Sequence, residues 1–348
     1  MTLLNRQSWK ILICLFLFIF ITMFNISIDV FADEKSNDIP FDISTETSDK
    51  QVDTNKTYFD LRLAPNEQTV ININITNKLD SELKLIVDVE PAKTNTQGVI
   101  EYGKFDGALS SSAPFDLEKQ ILYAKEIDLS PKETKKLPIT VKASDKSYSG
   151  IMVGGINIHQ KEVQSNDDES GMSIRNRLGY QIALVLHGND SFNYDMKFLD
   201  VEASQINYRN AFLIKLENLS NNFLNTADIS AKVKKKGTNS YLYTNRNTSE
   251  KVAPYSIFSF PIFLNEKEFE PGIYVVDTVI KYDSYEWKFS KEIKINKNVA
   301  EKYNAEDVTI RKEKKSITLY YVFIIIIVIL LIILLSTFYK LKRSKIIK

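Results

Sequence analysis

Through most of residues 70–295 the chain alternates apolar and polar side chains with a period of two. In Val70–Thr76, Ile71, Ile73 and Ile75 fall on one side, and Asn72, Asn74 and Thr76 on the other. Leu83, Leu85, Val87 and Val89 then alternate with Lys84, Asp88 and Glu90. Successive side chains of an extended strand point to opposite faces, so this spacing predicts strands with one buried face. Leu137-x-Ile139-x-Val141 repeats the pattern, and so do Gly150–Ile158 and Tyr180-x-Ile182-x-Leu184-x-Leu186. Further strands are expected at Phe212–Glu217, Ile229–Val233, Ile257–Leu264, Ile273–Ile280 and Tyr285–Ile295. The Gly154-Gly155 pair within one of them marks a bulge or a close backbone approach. Asp116–Ala124 fits either a helix (Leu117, Ile121, Ala124) or a strand from Ile121 to Ile127.

The strands fall into two halves that look like copies. In the first, Asn77 closes a strand, Pro131 precedes Leu137-Pro138-Ile139, and Gly150-Ile151 opens the next strand. In the second, Asn218, Pro254, Phe260-Pro261-Ile262 and Gly272-Ile273 follow in the same order. The first copy is longer by an insertion at roughly Asn95–Gln120. Short alternating strands with turns between them predict an all-β chain of two tandem immunoglobulin-like β-sandwich domains, 58–162 and 177–295. Ile73, Val87, Leu184, Leu216, Phe260 and Trp287 are expected in their cores. The polar segment 33–57 reads as an extended lead-in. The acidic stretch 163–176, which includes Gln164–Ser173, reads as a linker between the domains.

The two ends of the chain set the compartment. Leu319–Phe338 is apolar, with no charge from Ser316 to Tyr339. Twenty helical residues at ~1.5 Å each span a hydrocarbon core of ~30 Å, which predicts a C-terminal transmembrane helix over 319–339. The tail 340–348 carries Lys340, Lys342, Arg343, Lys345 and Lys348 and no acid, as a cytoplasmic end does. Residues 296–318 read as a polar juxtamembrane linker. At the other end Arg6 and Lys10 precede the apolar run Ile11–Ile21, and Val30-Phe31-Ala32 supplies small residues, which predicts a signal peptide over 1–32. An uncleaved span is the alternative. Either way the expected product is a single-pass type I membrane protein with its bulk outside the cytoplasm. The only cysteine, Cys14, lies within the signal, so no disulfide is expected. Setting aside Arg6, Lys10, the five tail bases and Asp29 leaves the segment between the ends with a net charge of about −5, which argues against nucleic acid as a partner.

No motif of an enzyme appears. The chain has no G-x-S-x-G, P-loop or G-x-G-x-x-G sequence. Its only histidines, His159 and His187, lie on separate expected strands without cysteine, so no metal site and no cofactor is predicted. His187 reads as an exposed residue at a strand end. Trp287 and Phe289 share a strand face with Ile293 and Ile295; core packing is the first reading of that face and a ligand-stacking platform the second.

Tyr58-Phe59-Asp60-Leu61, Pro65, Asn77, Ala92-x-Thr94-Asn95-x-x-Gly98-x-Ile100-x-Tyr102 and Gly150-x-x-x-Gly154-Gly155-Ile156 together resemble the first domain of the WxL-interacting proteins of Gram-positive bacteria. Tyr180, Asn218, Ala253-Pro254-x-Ser256, Pro261, Gly272-x-Tyr274 and Trp287-x-Phe289 resemble that family's second domain. Ser110-Ser111-Ser112 stands where Asp-Ser-Leu is common, and Ser48–Gln51 replaces a Pro-rich lead-in. The resemblance implies a non-enzymatic surface protein. Its first domain would bind peptidoglycan, its second host or matrix proteins, and it would form a complex with WxL-domain bacterial surface proteins. Binding usually resides in loops on a rigid scaffold, so the inserted segment, with Thr94, Asn95, Glu101 and Tyr102, is the candidate peptidoglycan contact. The bland reading is that Asn95 and Gly98 only shape a turn. A wall hydrolase and a purely structural stalk are the rival functions.

Overall fold

The structure is a computed structural model that describes residues 39–104, 107–161, 178–310, 324–330, 332, 333 and 335–337. The expected signal peptide, acidic linker and basic tail lie outside the described residues. The first part of the chain forms β1 (Phe41–Thr45), β2 (Phe59–Arg62), β3 (Gln68–Asn77), β4 (Leu83–Pro91), β5 (Lys93–Thr94), β6 (Ile100–Glu101) and β7 (Ala108–Leu109). The one-turn helix α1 (Leu117–Gln120) leads to β8 (Ile121–Leu122), β9 (Glu126–Leu129), β10 (Thr134–Lys142), β11 (Ile151–Gln160) and β12 (Gly179–His187). The second part forms β13 (Met196–Ile206), β14 (Arg209–Asn218), β15 (Leu224–Lys235) and β16 (Tyr243–Val252). It continues with β17 (Ser256–Phe263), β18 (Gly272–Tyr282), β19 (Tyr285–Ile295) and helix α2 (Lys297–Glu306).

The described residues are all-β in four principal sheets, ordered β1-β3-β10-β8, β2-β12-β11-β4-β9, β13-β14-β17-β7 and β16-β15-β18-β19. The alternation read from the sequence selects the buried faces. Ile71, Ile73 and Ile75 of β3 and Leu83, Leu85, Val87 and Val89 of β4 are all buried, as are Leu137, Ile139 and Val141 of β10. In the second sandwich Phe212, Ile214, Leu216, Phe258, Phe260 and Ile262 from one sheet pack with Ala227, Ile229, Ala231, Val233, Val276 and Ile280 from the other, around a single core. Each such Val, Leu, Ile or Phe contributes ~1.5–3 kcal/mol by leaving water, and each Ala less. Asp116–Ala124 resolves into both alternatives: Asp116 caps α1 through Glu118 N, and the chain extends at Ile121.

Three elements depart from the sequence reading. Strand β12, expected to open the second domain, lies between β11 and β2 in the first sandwich, antiparallel to one and parallel to the other. Alternation shows which face of a strand is buried but not which neighbour it pairs with. Strand β1, within the expected lead-in, pairs with β3 along its whole length, Phe41 opposite Asn77 and Thr45 opposite Ile73. Helix α2 occupies the first part of the expected juxtamembrane linker. Ala300 is in the second core, Tyr303 packs against it, and Asn304 and Asp307 bond Asn210. Two small contacts at a spacing of three make a docked face that its polar majority hides. Of the apolar segment 319–339, residues 324–330, 332, 333 and 335–337 are described and helical. Among the described residues no helix is long and apolar enough to cross a membrane.

Candidate functional site

The insertion of the first sandwich does not stand free; it reaches across to the second. Ala108 and Leu109 of β7 pair with Ile257 and Ser256 and extend the sheet of β17 by one strand. Ser110 is buried, donates its hydroxyl to Glu217 and its N–H to the carbonyl of Tyr255. Beneath it Ile151 and Val153 of β11, Val185 of β12, Ala92 and Ala253 form a second apolar cluster, with Tyr58, Ile100, Tyr102 and Phe223 against it. Strand β11 is therefore buried on both faces, one in its own core and one in the joint. This explains its near-continuous apolar run. The glycine pair serves the close approach. A Cβ at Gly155 would lie 2.4 Å from Tyr102 Cβ, and one at Gly154 would lie 2.1 Å from a Leu117 methyl.

The four candidate residues take different places in this joint. Thr94 is buried. Its N–H donates to Ser256 Oγ at 2.8 Å and its hydroxyl accepts from Ala253 N at 2.9 Å, so it fastens the two sandwiches together. Asn95 organises the loop: its Oδ1 accepts from Gln97 N at 2.9 Å and Val99 N at 3.1 Å, and its Nδ2 donates to Glu101. Gly98 completes that turn at φ +70°. Tyr102 packs in the joint, and its carbonyl accepts from Asn157 Nδ2 at 2.7 Å. Burial pushes the Tyr102 hydroxyl up from its ordinary value.

Thr94, Asn95 and Glu101 nonetheless line one wall of a cleft of about 720 Å³. The floor is the outer face of the second sandwich, with Leu213, Lys215, Ile257 and Ser259, and the far wall is Gln205-Ile206-Asn207. Ile206 and Arg209 are paired, so Asn207 and Tyr208 form a two-residue hairpin turn. Both have positive φ, 49° and 56°, as a type I′ turn requires. A volume of this size lies within the ~300–1,000 Å³ of ordinary ligand sites. Sequence reading missed this far wall. Its only local signal is the Asn at a turn, and its residues lie about 110 positions from the loop they face.

A buried carboxyl sits under the loop. Glu250 is 2% exposed, and its Oε2 has no hydrogen-bond partner among the described residues. Burial pushes its pKa up to about 7, with Asn247 pulling it back in part. Gly98 lies directly over it, since a Cβ there would fall 1.2 Å from Glu250 Oε2. Its neighbour Lys251 donates its N–H to the Gly98 carbonyl at 2.9 Å.

Elsewhere, His187 is half-buried rather than exposed, with Nε2 2.5 Å from Oδ1 of the buried Asp60. It borders a second cleft of about 400 Å³ with Arg62, Lys146, Tyr148 and Asp190. Among the described residues no group of three or more His, Cys, Asp or Glu is placed to hold a metal ion. Trp287 is half-buried at the margin of the second core. It stacks on Tyr285 with ring centroids 5.7 Å apart and donates Nε1–H to Asp195 at 3.1 Å. Trp287→Ala is therefore expected to cost roughly 1–2 kcal/mol, less than a full core truncation, because only part of its surface leaves water. Denaturant unfolding measures it, and a loss of ~4 kcal/mol would place Trp287 in the core proper.

Residues 41–160 match the domain described as WxL Interacting Protein, peptidoglycan binding domain. Residues 169–305 match the one described as WxL Interacting Protein, host binding domain. With both domains present in that order over most of its length, the chain belongs to the WxL Interacting Protein family. Among solved structures it is similar to the E. coli chaperone DraB (12% identity, 73% of this chain and 97% of that one, TM-score 0.26). It is also similar to the Pseudomonas aeruginosa chaperone CupB2 (10% identity, 66% and 93%, TM-score 0.23). A third is a chain of the Acinetobacter baumannii CsuC–CsuE chaperone–adhesion subunit complex (13% identity, 66% and 93%, TM-score 0.27). No curated protein sequence matches the chain.

Proposed function

We propose that this chain is a non-enzymatic cell-surface binding protein whose first sandwich holds peptidoglycan and whose second binds a protein of a host or matrix. The observation that carries the reading is the tandem match to a peptidoglycan-binding and then a host-binding domain. We read both sandwiches as immunoglobulin-like, the segment 1–32 as a signal peptide and the segment 319–339 as a membrane anchor. In this reading α2 docks on the second sandwich and shortens the linker before the anchor from 296–318 to 307–318. The second sandwich then lies close to the membrane, where a WxL-domain bacterial protein is its nearest available partner. Host contact would pass through that partner or follow release of the anchor.

The test uses full-length protein in detergent and purified cell wall. The protein is expected to pellet with intact wall and to release no soluble muropeptides. Release of fragments would favour the hydrolase, and absence from the pellet would favour the inert stalk.

A further inference from the structure

The cleft between the inserted loop and the second sandwich belongs to neither domain alone. Its lining mixes amides and hydroxyls from both sides with apolar surface. Among the described residues the side chains of Gln97, Asn207 and Ser259 make no hydrogen bond within the chain, and Gln97 and Asn207 are exposed. Leu213 and Ile257 supply half-buried apolar surface on the floor. Among the described residues Lys215 is the one cation of the lining and Glu101 its one anion.

Resting on the wall-binding reading above, we propose that this shared cleft takes the glycan strand of the wall, with Gln97 of the first sandwich and Asn207 of the second hydrogen-bonding its N-acetylated sugars. A pyranose offers hydroxyls, acetamido groups and an apolar C–H face, and the cleft offers the complement of each. Stem peptides carry several carboxylates and would call for a cationic lining. Lys215, with Glu101 in the same lining, does not provide one. The amides stand on two preorganised turns. One is the loop closed by Asn95 and Gly98, and the other the hairpin closed by Asn207 and Tyr208. Little ordering is therefore left to be done on binding. The second sandwich becomes half of the wall site rather than a separate module.

The test compares full-length parent with the double variant Gln97→Ala, Asn207→Gly. The glycine keeps the positive φ of the turn, so the fold is preserved and equal melting curves verify it. Pelleting with purified wall, and titration with a soluble N-acetylglucosamine tetramer, are both expected to weaken about tenfold or more, as loss of two hydrogen bonds predicts. Wall binding equal to the parent's would overturn the shared cleft while leaving the wall reading intact. Parent that fails to bind wall at all would remove the wall reading and this proposal with it. Parent that binds free stem peptide but not the tetramer would overturn the glycan assignment. Lys146→Ala that loses wall binding while the double variant keeps it would move the site to the cleft beside Arg62.

Discussion

Gly150→Ala is expected to loosen the joint between the two sandwiches and to cost roughly 2–5 kcal/mol. Gly150 has φ +80°, where an alanine pays about 1–2 kcal/mol of backbone strain. Its Cβ would also lie 2.1 Å from the carbonyl oxygen of Asn221 in the second sandwich. That oxygen accepts from Ile151 N at 2.9 Å, so it is held close to the same stretch of backbone. Gly150 itself donates to Asn189 O and accepts from Gly188 N. Backbone meets backbone, neither side can rotate away, and overpacking of this kind adds ~1–3 kcal/mol. Calorimetry is expected to resolve the parent's transition into two, one for each sandwich. A single transition at the parent's temperature would mean that the joint gives way freely and that the shared cleft is not rigid.

Glu250→Gln is expected to stabilise the protein at alkaline pH and to leave it unchanged in acid. The carboxyl has its pKa raised by burial to about 7, above the ordinary value of 4.5 that it regains on unfolding. The folded state thus favours the protonated form. The stability this confers is complete below pH 4.5 and is lost as the pH rises through 7, when a charge must sit in the joint. A shift of this size corresponds to on the order of 3 kcal/mol once the charge is fully formed. Glutamine keeps the shape and removes the titration. Melting temperatures measured from pH 4 to 8.5 should coincide at the low end, diverge between about pH 4.5 and 7, and keep a constant separation above that. Parallel curves across the range would show that Glu250 is already solvated.

The cores were legible before the structure because period two assigns each side chain to a face. Ile73, Val87, Leu184, Leu216 and Phe260 all lie where alternation put them. Strand β13 was not legible: its ladder with β14 shifts register between Phe198 and Asp200, and the bulge breaks the alternation. Strand β7 has only two residues, too few for any period, although it carries the insertion onto the neighbouring sheet. Of the candidate residues, Asn95 was readable as a turn former. The burial of Thr94 was not, because its partners Ala253 and Ser256 lie about 160 positions away. Local pattern encodes faces and turns; it does not encode what docks on them.

The placement of β12 changes what counts as a half of this molecule. The family descriptions part between residues 160 and 169, in the acidic stretch. Yet β11 and β12, on either side of it, are hydrogen-bonded neighbours from Ile151–His187 to His159–Gly179. A protease that cuts there does not release two finished modules. The amino-terminal fragment loses an interior strand of its sheet, and the carboxy-terminal fragment carries that strand away as an appendage. The two pieces are complements, one a vacant groove and the other its missing insert, and they are expected to co-elute in gel filtration after the peptide bond is cut. Gene fragments divided at this stretch inherit the same defect, an exposed ladder on one piece and an orphan strand on the other. The true crossing point is residues 188–195, where Asn193 N donates to Asn221 Oδ1 and Asp195 N to Ser220 Oγ.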